Sequence, residues 1–303
     1  MNFVSSDDFS RSQINEVFAI ADRLSHGRGE SFIKEHAVMA LLFEKPSTRT
    51  RVSFEVAMTQ LGGNAVYIEK QHLQMSRGET VEDTAKALST YCDFIAARLY
   101  SHSDIVKIAE NSVVPVINAL TDLEHPTQAL ADMYTVRAHK SDLRNVRIAF
   151  VGDIAANTAN SLMLTATKLG SSVSLIGPRG YSPNSIYFNK AREYGTVDVY
   201  DSFDDGLEGA DFVYTDTFVS MGQEADAERR RALFKDYILT DEALDHATPD
   251  TLVMHCLPAH RGEEITADVL DGPKSIVWEQ ARNKLLIEKS LIIYLSEQTD
   301  TGT

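Results

Sequence analysis

The feature that most constrains this chain is an alternation, repeated along its length, of short apolar runs and stretches with helical spacing. Residues 37–43, Ala-Val-Met-Ala-Leu-Leu-Phe, are apolar at every position, which is how a strand covered on both faces reads. Further strands are expected at 65–68, 94–97 and 113–117, and then at 146–151, 173–176, 197–200, 212–215 and 252–256. Helix-like stretches lie at 12–24, 50–61, 81–91, 104–109 and 127–137, another starts near Asn157, and a closing one covers 279–295. Parallel strands need such crossovers. The implied fold class is α/β: two domains, each a parallel sheet flanked by helices, with the C-terminal helix packing back on the first domain. The polar break His139-Lys140-Ser141-Asp142 sets the expected boundary, giving domains at 1–140 and 141–280, with 281–303 returning to the first.

Composition narrows the partners. Lys and Arg number 29 against 44 Asp and Glu, a net charge of -15, which disfavours nucleic acid and anionic membrane as partners. No run approaches the roughly 18 apolar residues of a membrane span, and the N-terminus lacks a secretory pattern, so a soluble, cytoplasmic protein is expected. Two cysteines, Cys92 and Cys256, cannot form a disulfide framework and fit a reducing compartment.

The densest chemical signal is Phe43-Glu44-Lys45-Pro46-Ser47-Thr48-Arg49-Thr50-Arg51. A buried strand runs into a proline-marked turn and then a helix, gathering hydroxyls, guanidinium and unpaired N–H groups, which suits a phosphate. Helix capping by Ser47 or Thr48 uses the same residue types, so physics alone leaves both readings open.

Ser-Thr-Arg-Thr-Arg followed by Ser53-Phe54-Glu55 resembles the carbamoyl-phosphate loop of the aspartate and ornithine carbamoyltransferases. The likeness continues through Gln74, Arg77-Gly78-Glu79, Asp83-Thr84-Ala85, Arg98 and His125-Pro126-Thr127-Gln128, and so covers nearly the whole chain. It implies that Ser47, Thr48, Arg49 and Thr50 bind the phosphate and that Arg98 bridges phosphate and carbonyl oxygen. His125 and Thr50 would polarise the carbonyl, Gln128 would hold the carbamoyl nitrogen, and Gln74 would reach a neighbouring subunit's site in a homotrimer or a multiple of trimers. Such donors suit a carbonyl oxygen that gains charge in a tetrahedral transition state.

Three later segments are similar to the ornithine branch of that family. In Gly152-Asp153-Ile154-Ala155-Ala156-Asn157-Thr158-Ala159-Asn160-Ser161, Asn157 would contact the amino acid, although Ala156 stands where the family carries a second asparagine. In Asp216-Thr217-Phe218-Val219-Ser220-Met221-Gly222, Asp216 would meet the α-ammonium while Ser220 and Met221 close over the substrate. In His255-Cys256-Leu257-Pro258, Cys256 would orient ligand beside Asp216, without covalent catalysis, and the Leu257 carbonyl would receive the carbamoyl NH₂. One departure stands out. Where the family reads Glu-Asn-Arg, this chain has Arg282-Asn283-Lys284, so either Lys284 replaces an arginine at the carbamoyl carbonyl without its bidentate fork, or Arg282 reaches in.

The resemblance implies transfer of a carbamoyl group from carbamoyl phosphate to the δ-amine of L-ornithine, giving citrulline and phosphate, with no cofactor and no metal. Three alternatives stand beside this reading. A sister enzyme carbamoylating aspartate, putrescine or an acylated ornithine would share the first-domain motifs. A binding protein could hold the ligands without turnover. A nicotinamide-dependent dehydrogenase is opposed by the absence of Gly-x-Gly-x-x-Gly after residue 151.

Overall fold

The computed structural model describes residues 1–27, 33–74, 78–220 and 222–300. It divides into two compact units, one comprising 1–131 and 283–303, the other 132–282.

In the first unit, strands β1 (Val38–Phe43), β2 (Asn64–Glu69), β3 (Phe94–Arg98) and β4 (Val116–Leu120) form a sheet of order β2-β1-β3-β4, in which every pairing is parallel. Helices α1 (Arg11–Ser25), α2 (Thr48–Gln60), α3 (Val81–Ser89) and α4 (His102–Asn111) belong to it. The apolar run behaves as its sequence predicts, since Met39 to Phe43 are each at most 2% exposed. Strand β4 starts later than the apolar run at 113–117 suggests. Val113 is 84% exposed, and the strand begins only after Pro115, which has no N–H to give to a ladder.

The second unit carries β5 (Arg147–Val151), β6 (Ser172–Ile176), β7 (Val197–Tyr200), β8 (Phe212–Thr215) and β9 (Leu252–His255), again all parallel, in the order β7-β6-β5-β8-β9. Helix α5 (Pro126–His139) leads into this unit. Its own helices are α6 (Asn157–Leu169), α7 (Ser185–Tyr194), the single-turn α8 (Phe203–Gly206), α9 (Ala227–Phe234), α10 (Asp241–Leu244) and α11 (Ala267–Leu270). Helix α12 (Val277–Asp300) starts in the second unit and ends in the first, so its last residues belong to the fold of the first.

Each sheet reverses its order of strand addition once, between β1 and β3 and between β5 and β8. Ligands of open parallel sheets bind outside the strand ends at such points. At the second reversal the chain makes a tight turn at Gly152, whose φ is +108°. A Cβ there would lie 2.8 Å from the Phe218 ring. Gly152→Ala therefore combines left-handed strain with a clash, and an expected loss of about 1–3 kcal/mol is measurable as a lowered midpoint of denaturant unfolding. A variant as stable as the parent would contradict this account of the turn.

Candidate active site

The first half of the site grows from the β1–β3 reversal. Phe43 stands opposite Arg98 in register, and one residue further the Glu44 N–H donates to the Arg98 carbonyl at 2.9 Å. The Glu44 carboxylate accepts the Tyr100 N–H at 2.9 Å, and Lys45, 7% exposed, lies over the Tyr100 ring at 4.9 Å. This fixes the entry to α2. Ser47 is the N-cap, its Oγ accepting the Thr50 N–H at 3.3 Å. Capping and anion binding are therefore not alternatives here. The cap takes one N–H of the first turn, Thr48 and Arg49 stay exposed, and no acidic residue in that turn competes for an anion.

Buried side chains from three other elements gather beside this turn. Arg98 (6% exposed) ends β3, His125 (5%) precedes α5, and Gln128 (3%) lies in its first turn. Lys284, on α12, joins them: its Nζ is 3.3 Å from Thr50 Oγ1, 3.1 Å from Gln128 Oε1 and 3.5 Å from His125 Nε2. An ammonium has no lone pair to offer, so Nε2 must be the accepting nitrogen and the imidazole neutral. Burial, followed by the Lys284 and Arg98 charges, holds the His125 pKa well below 6.5. Arg282, by contrast, is exposed. Of the two candidates for the missing arginine, Lys284 is the one in contact with Thr50, His125 and Gln128. Gln74 is exposed, in the segment after β2; Arg77 lies outside the described residues.

The second half lies at the β5–β8 reversal and the end of β9. Asp216, directly after β8 and 6% exposed, accepts Thr158 Oγ1 at 2.8 Å, the Thr217 N–H at 2.8 Å and Cys256 Sγ at 3.0 Å. Asn157 is the first residue of α6 and half-buried, whereas the N-cap is Ala156, so Asn157 is no cap. Ser220 is half-buried, its N–H donating to Gln223 Oε1 at 3.1 Å in a turn where Gly222 has φ +94°. Met221 lies outside the described residues. Leu257 takes φ +60°, and its N–H donates to His255 Nδ1 at 2.8 Å. That leaves His255 Nε2 as the donor to Glu264 Oε1 at 3.2 Å, both side chains fully buried.

Several of these partners carried no assignment from sequence. Thr158 lies within the quoted loop motif, but nothing in the sequence marks it as a partner of Asp216. Arg230 reaches the Phe218 carbonyl at 2.6 Å and pairs with Asp153, which also accepts Tyr181 OH at 2.8 Å. This clamps the base of the 216–220 loop. Its signal is long-range and no local pattern carries it.

An anion cradle with a neutral imidazole on one parallel sheet, and a carboxylate ringed by donors on another, describe a group-transfer enzyme with two polar substrates. Comparison with known proteins agrees. Residues 1–138 match the carbamoyl-P binding domain of aspartate/ornithine carbamoyltransferase, and residues 144–295 match its Asp/Orn binding domain. The chain is similar to the ornithine carbamoyltransferase of Pyrococcus abyssi, 46% identical over 273 residues, 88% of this chain and 86% of that protein. That of Bacillus subtilis is 42% identical, with 96% and 93% covered. The solved ornithine carbamoyltransferase from Pyrococcus furiosus superposes with a TM-score of 0.90 at 43% identity, covering 96% of this chain and 95% of that one. The chain belongs to the aspartate/ornithine carbamoyltransferase family.

A neutral, buried His125 has a measurable consequence. The unfolded chain takes up a proton near pH 6.5 that the folded chain refuses, so this residue's contribution to stability is complete above that pH and is lost as pH falls below it. Its ring resonances should keep neutral-imidazole shifts from pH 8 down to 6. A midpoint near 6.5 would show that the cluster around Lys284 is not as described.

Proposed function

We infer that the chain transfers the carbamoyl group of carbamoyl phosphate to the δ-amine of L-ornithine, giving L-citrulline and phosphate. The observation that carries this reading is the convergence of Thr50, Gln128 and His125 on the Lys284 ammonium beside a capped helix N-terminus and Arg98. A gathering of cations and neutral polar side chains supports this reading, because a carbonyl gaining negative charge beside a departing phosphate requires both. The assigned roles are phosphate binding by Ser47, Thr48, Arg49, Thr50 and Arg98, and polarisation of the carbonyl by Thr50, His125 and Lys284. Gln128 holds the carbamoyl nitrogen, the Leu257 carbonyl receives its NH₂, and Cys256 orients ligand beside Asp216.

On the amine side, Asp216 is the natural partner of an α-ammonium, with Asn157, Ser220 and Met221 completing the amino-acid site. Free ornithine is favoured over aspartate, putrescine or an acylated ornithine by Ser220-Met221-Gly222 and His255-Cys256, which are similar to the ornithine branch. The attacking δ-amine must be neutral, and a primary alkyl amine such as the lysine side chain has a reference pKa of about 10.4. The site has to favour the neutral form. Thereafter the nitrogen adds to the carbamoyl carbon, the C–O bond to phosphate breaks, and the amine proton is released.

The test is citrulline formation by the purified protein. Arg49→Ala and Arg98→Ala should each lower kcat/KM by at least about 100-fold, the scale for removing one preorganised donor from a transition state. Wild-type protein without citrulline formation, or near-wild-type activity in both folded variants, would defeat the reading.

The exposed Gln74 supports a second element, an assembly of three copies, or a multiple of three, in which Gln74 serves a neighbour's site. Mixtures of Gln74→Ala and Arg49→Ala chains refolded together should then regain part of the activity that each lacks alone. Verified mixed oligomers with no regained activity would restrict Gln74 to its own chain. No helix among the described residues is long and apolar enough to cross a membrane.

A further inference from the structure

One turn along α12 from Lys284 lies Glu288, fully buried. The four-residue spacing puts both side chains on one face of the helix. Across from it, α2 presents the Ser53 hydroxyl. The carboxylate that α2 carries, Glu55, is half-buried and bound to Arg51 at 2.9 Å. Lys289, the next residue, donates to Gln60 at 3.1 Å. The charge that bears on Glu288 is therefore Lys284 on its own helix, and Lys284 together with Arg98 bears on the neutral His125.

A carboxylate in such a place is costly unless a cation compensates it, and an ammonium sharing a pocket with a guanidinium is costly unless an anion does. Lys284 favours the charged form of Glu288, and burial opposes it. A phosphate dianion arriving beside Lys284 changes the balance, because it takes over as counter-ion and repels the carboxylate behind.

We propose that Glu288 is the counter-charge of Lys284, a carboxylate in the free protein that becomes a carboxylic acid when a phosphate-bearing anion binds, so that anion binding is coupled to proton uptake. The proton comes from solvent, and no bond of the ligand changes. This rests on the carbamoyl-phosphate reading above and gives Glu288 a positioning role, acting through Lys284. Burial raises its pKa to about 7, against the pull of Lys284 and Ser53, so the uptake falls where it can be measured. Lysine makes the device necessary: an arginine at this position would stay charged without help, whereas a buried lysine loses its proton readily.

The experiment is calorimetric titration of the whole protein with inorganic phosphate, in buffers of different ionisation heat, from pH 6 to 8.5, on wild type and Glu288→Gln. Wild type should take up a proton fraction at pH 7.5 beyond that of phosphate itself, and Glu288→Gln should not. At pH 8.5 Glu288→Gln should bind phosphate roughly three- to tenfold more tightly than wild type, one coupled proton allowing at most about tenfold per pH unit. The two affinities should converge near pH 6. A residue that merely fills space would give the opposite pattern, weaker binding in parallel at every pH, and that result overturns the proposal. If Glu288→Gln fails to fold, the wild-type uptake decides alone, with its absence counting against. Wild type that neither binds phosphate nor forms citrulline would sink the functional reading itself, whereas an active, phosphate-binding wild type without uptake sinks only the role of Glu288.

Discussion

A parallel sheet sends all its strands out at one edge, and the chemistry of this chain follows from that constraint. Strand interiors buried on both faces leave no room for polar side chains, so polar residues collect where strands end. Where the order of strands reverses, the loops on either side depart in opposite directions and leave a crevice. Phe43 and Arg98 flank one such crevice, and Gly152 and Asp216 flank the other. Neither site depends on a long or irregular loop for its central groups. Arg98 and Asp216 are each fixed within one residue of a hydrogen-bonded strand end, which is the kind of rigidity that positioning a reacting group demands.

Electrostatics then decides what the first crevice can hold. The chain as a whole carries -15, which repels anions at long range, so attraction has to be local. Arg98 and Lys284 supply it from within the protein, at a desolvation penalty of several kcal/mol per ion. His125 adds no third charge, because the same burial and the same two cations keep it neutral. A neutral imidazole among cations offers a hydrogen bond without raising the penalty further. In the second crevice the sign is reversed: three donors from α6, β8's exit and β9's exit face one carboxylate. The two crevices thus have opposite polarity.

Much of this was legible in the sequence. Strands buried on both faces announce themselves as unbroken apolar runs, whereas Arg98, His125, Asp216 and Cys256 stand out through the resemblance to the carbamoyltransferases rather than through any pattern of apolar spacing. The apolar run at 113–117 points to a start three residues before that of β4, because Pro115 has no N–H to give and enters the ladder only through its carbonyl, which accepts the Ile95 N–H at 3.0 Å. Thr158 was missed for a different reason. A threonine in the first turn of a helix looks like any other, and only the fold brings it to Asp216. The clamp of Arg230 on Asp153 and Phe218 spans 77 residues in sequence, beyond the reach of any local pattern. Glu288 is the instructive case, since its four-residue spacing from Lys284 was visible. What sequence could not show is that both residues are buried, Lys284 at 8% and Glu288 at 0% exposure.

Burial also changes the meaning of the exchange of arginine for lysine. At a surface the two residues differ in geometry more than in charge, because water keeps both protonated. Within a desolvated pocket the guanidinium remains protonated whatever surrounds it, while the ammonium is charged only if its neighbours favour it. Thr50 and Gln128 supply oxygen acceptors to Lys284 at 3.3 and 3.1 Å, but neutral acceptors offset only part of the lost hydration. A full negative charge one turn along α12 offsets more. The cost is that this carboxylate opposes the very anion the pocket is built to take, and protonation removes that opposition at the moment the anion's own charge makes it redundant. A site with arginine here would hold a constant charge; with Lys284 and Glu288 its charge adjusts to what is bound.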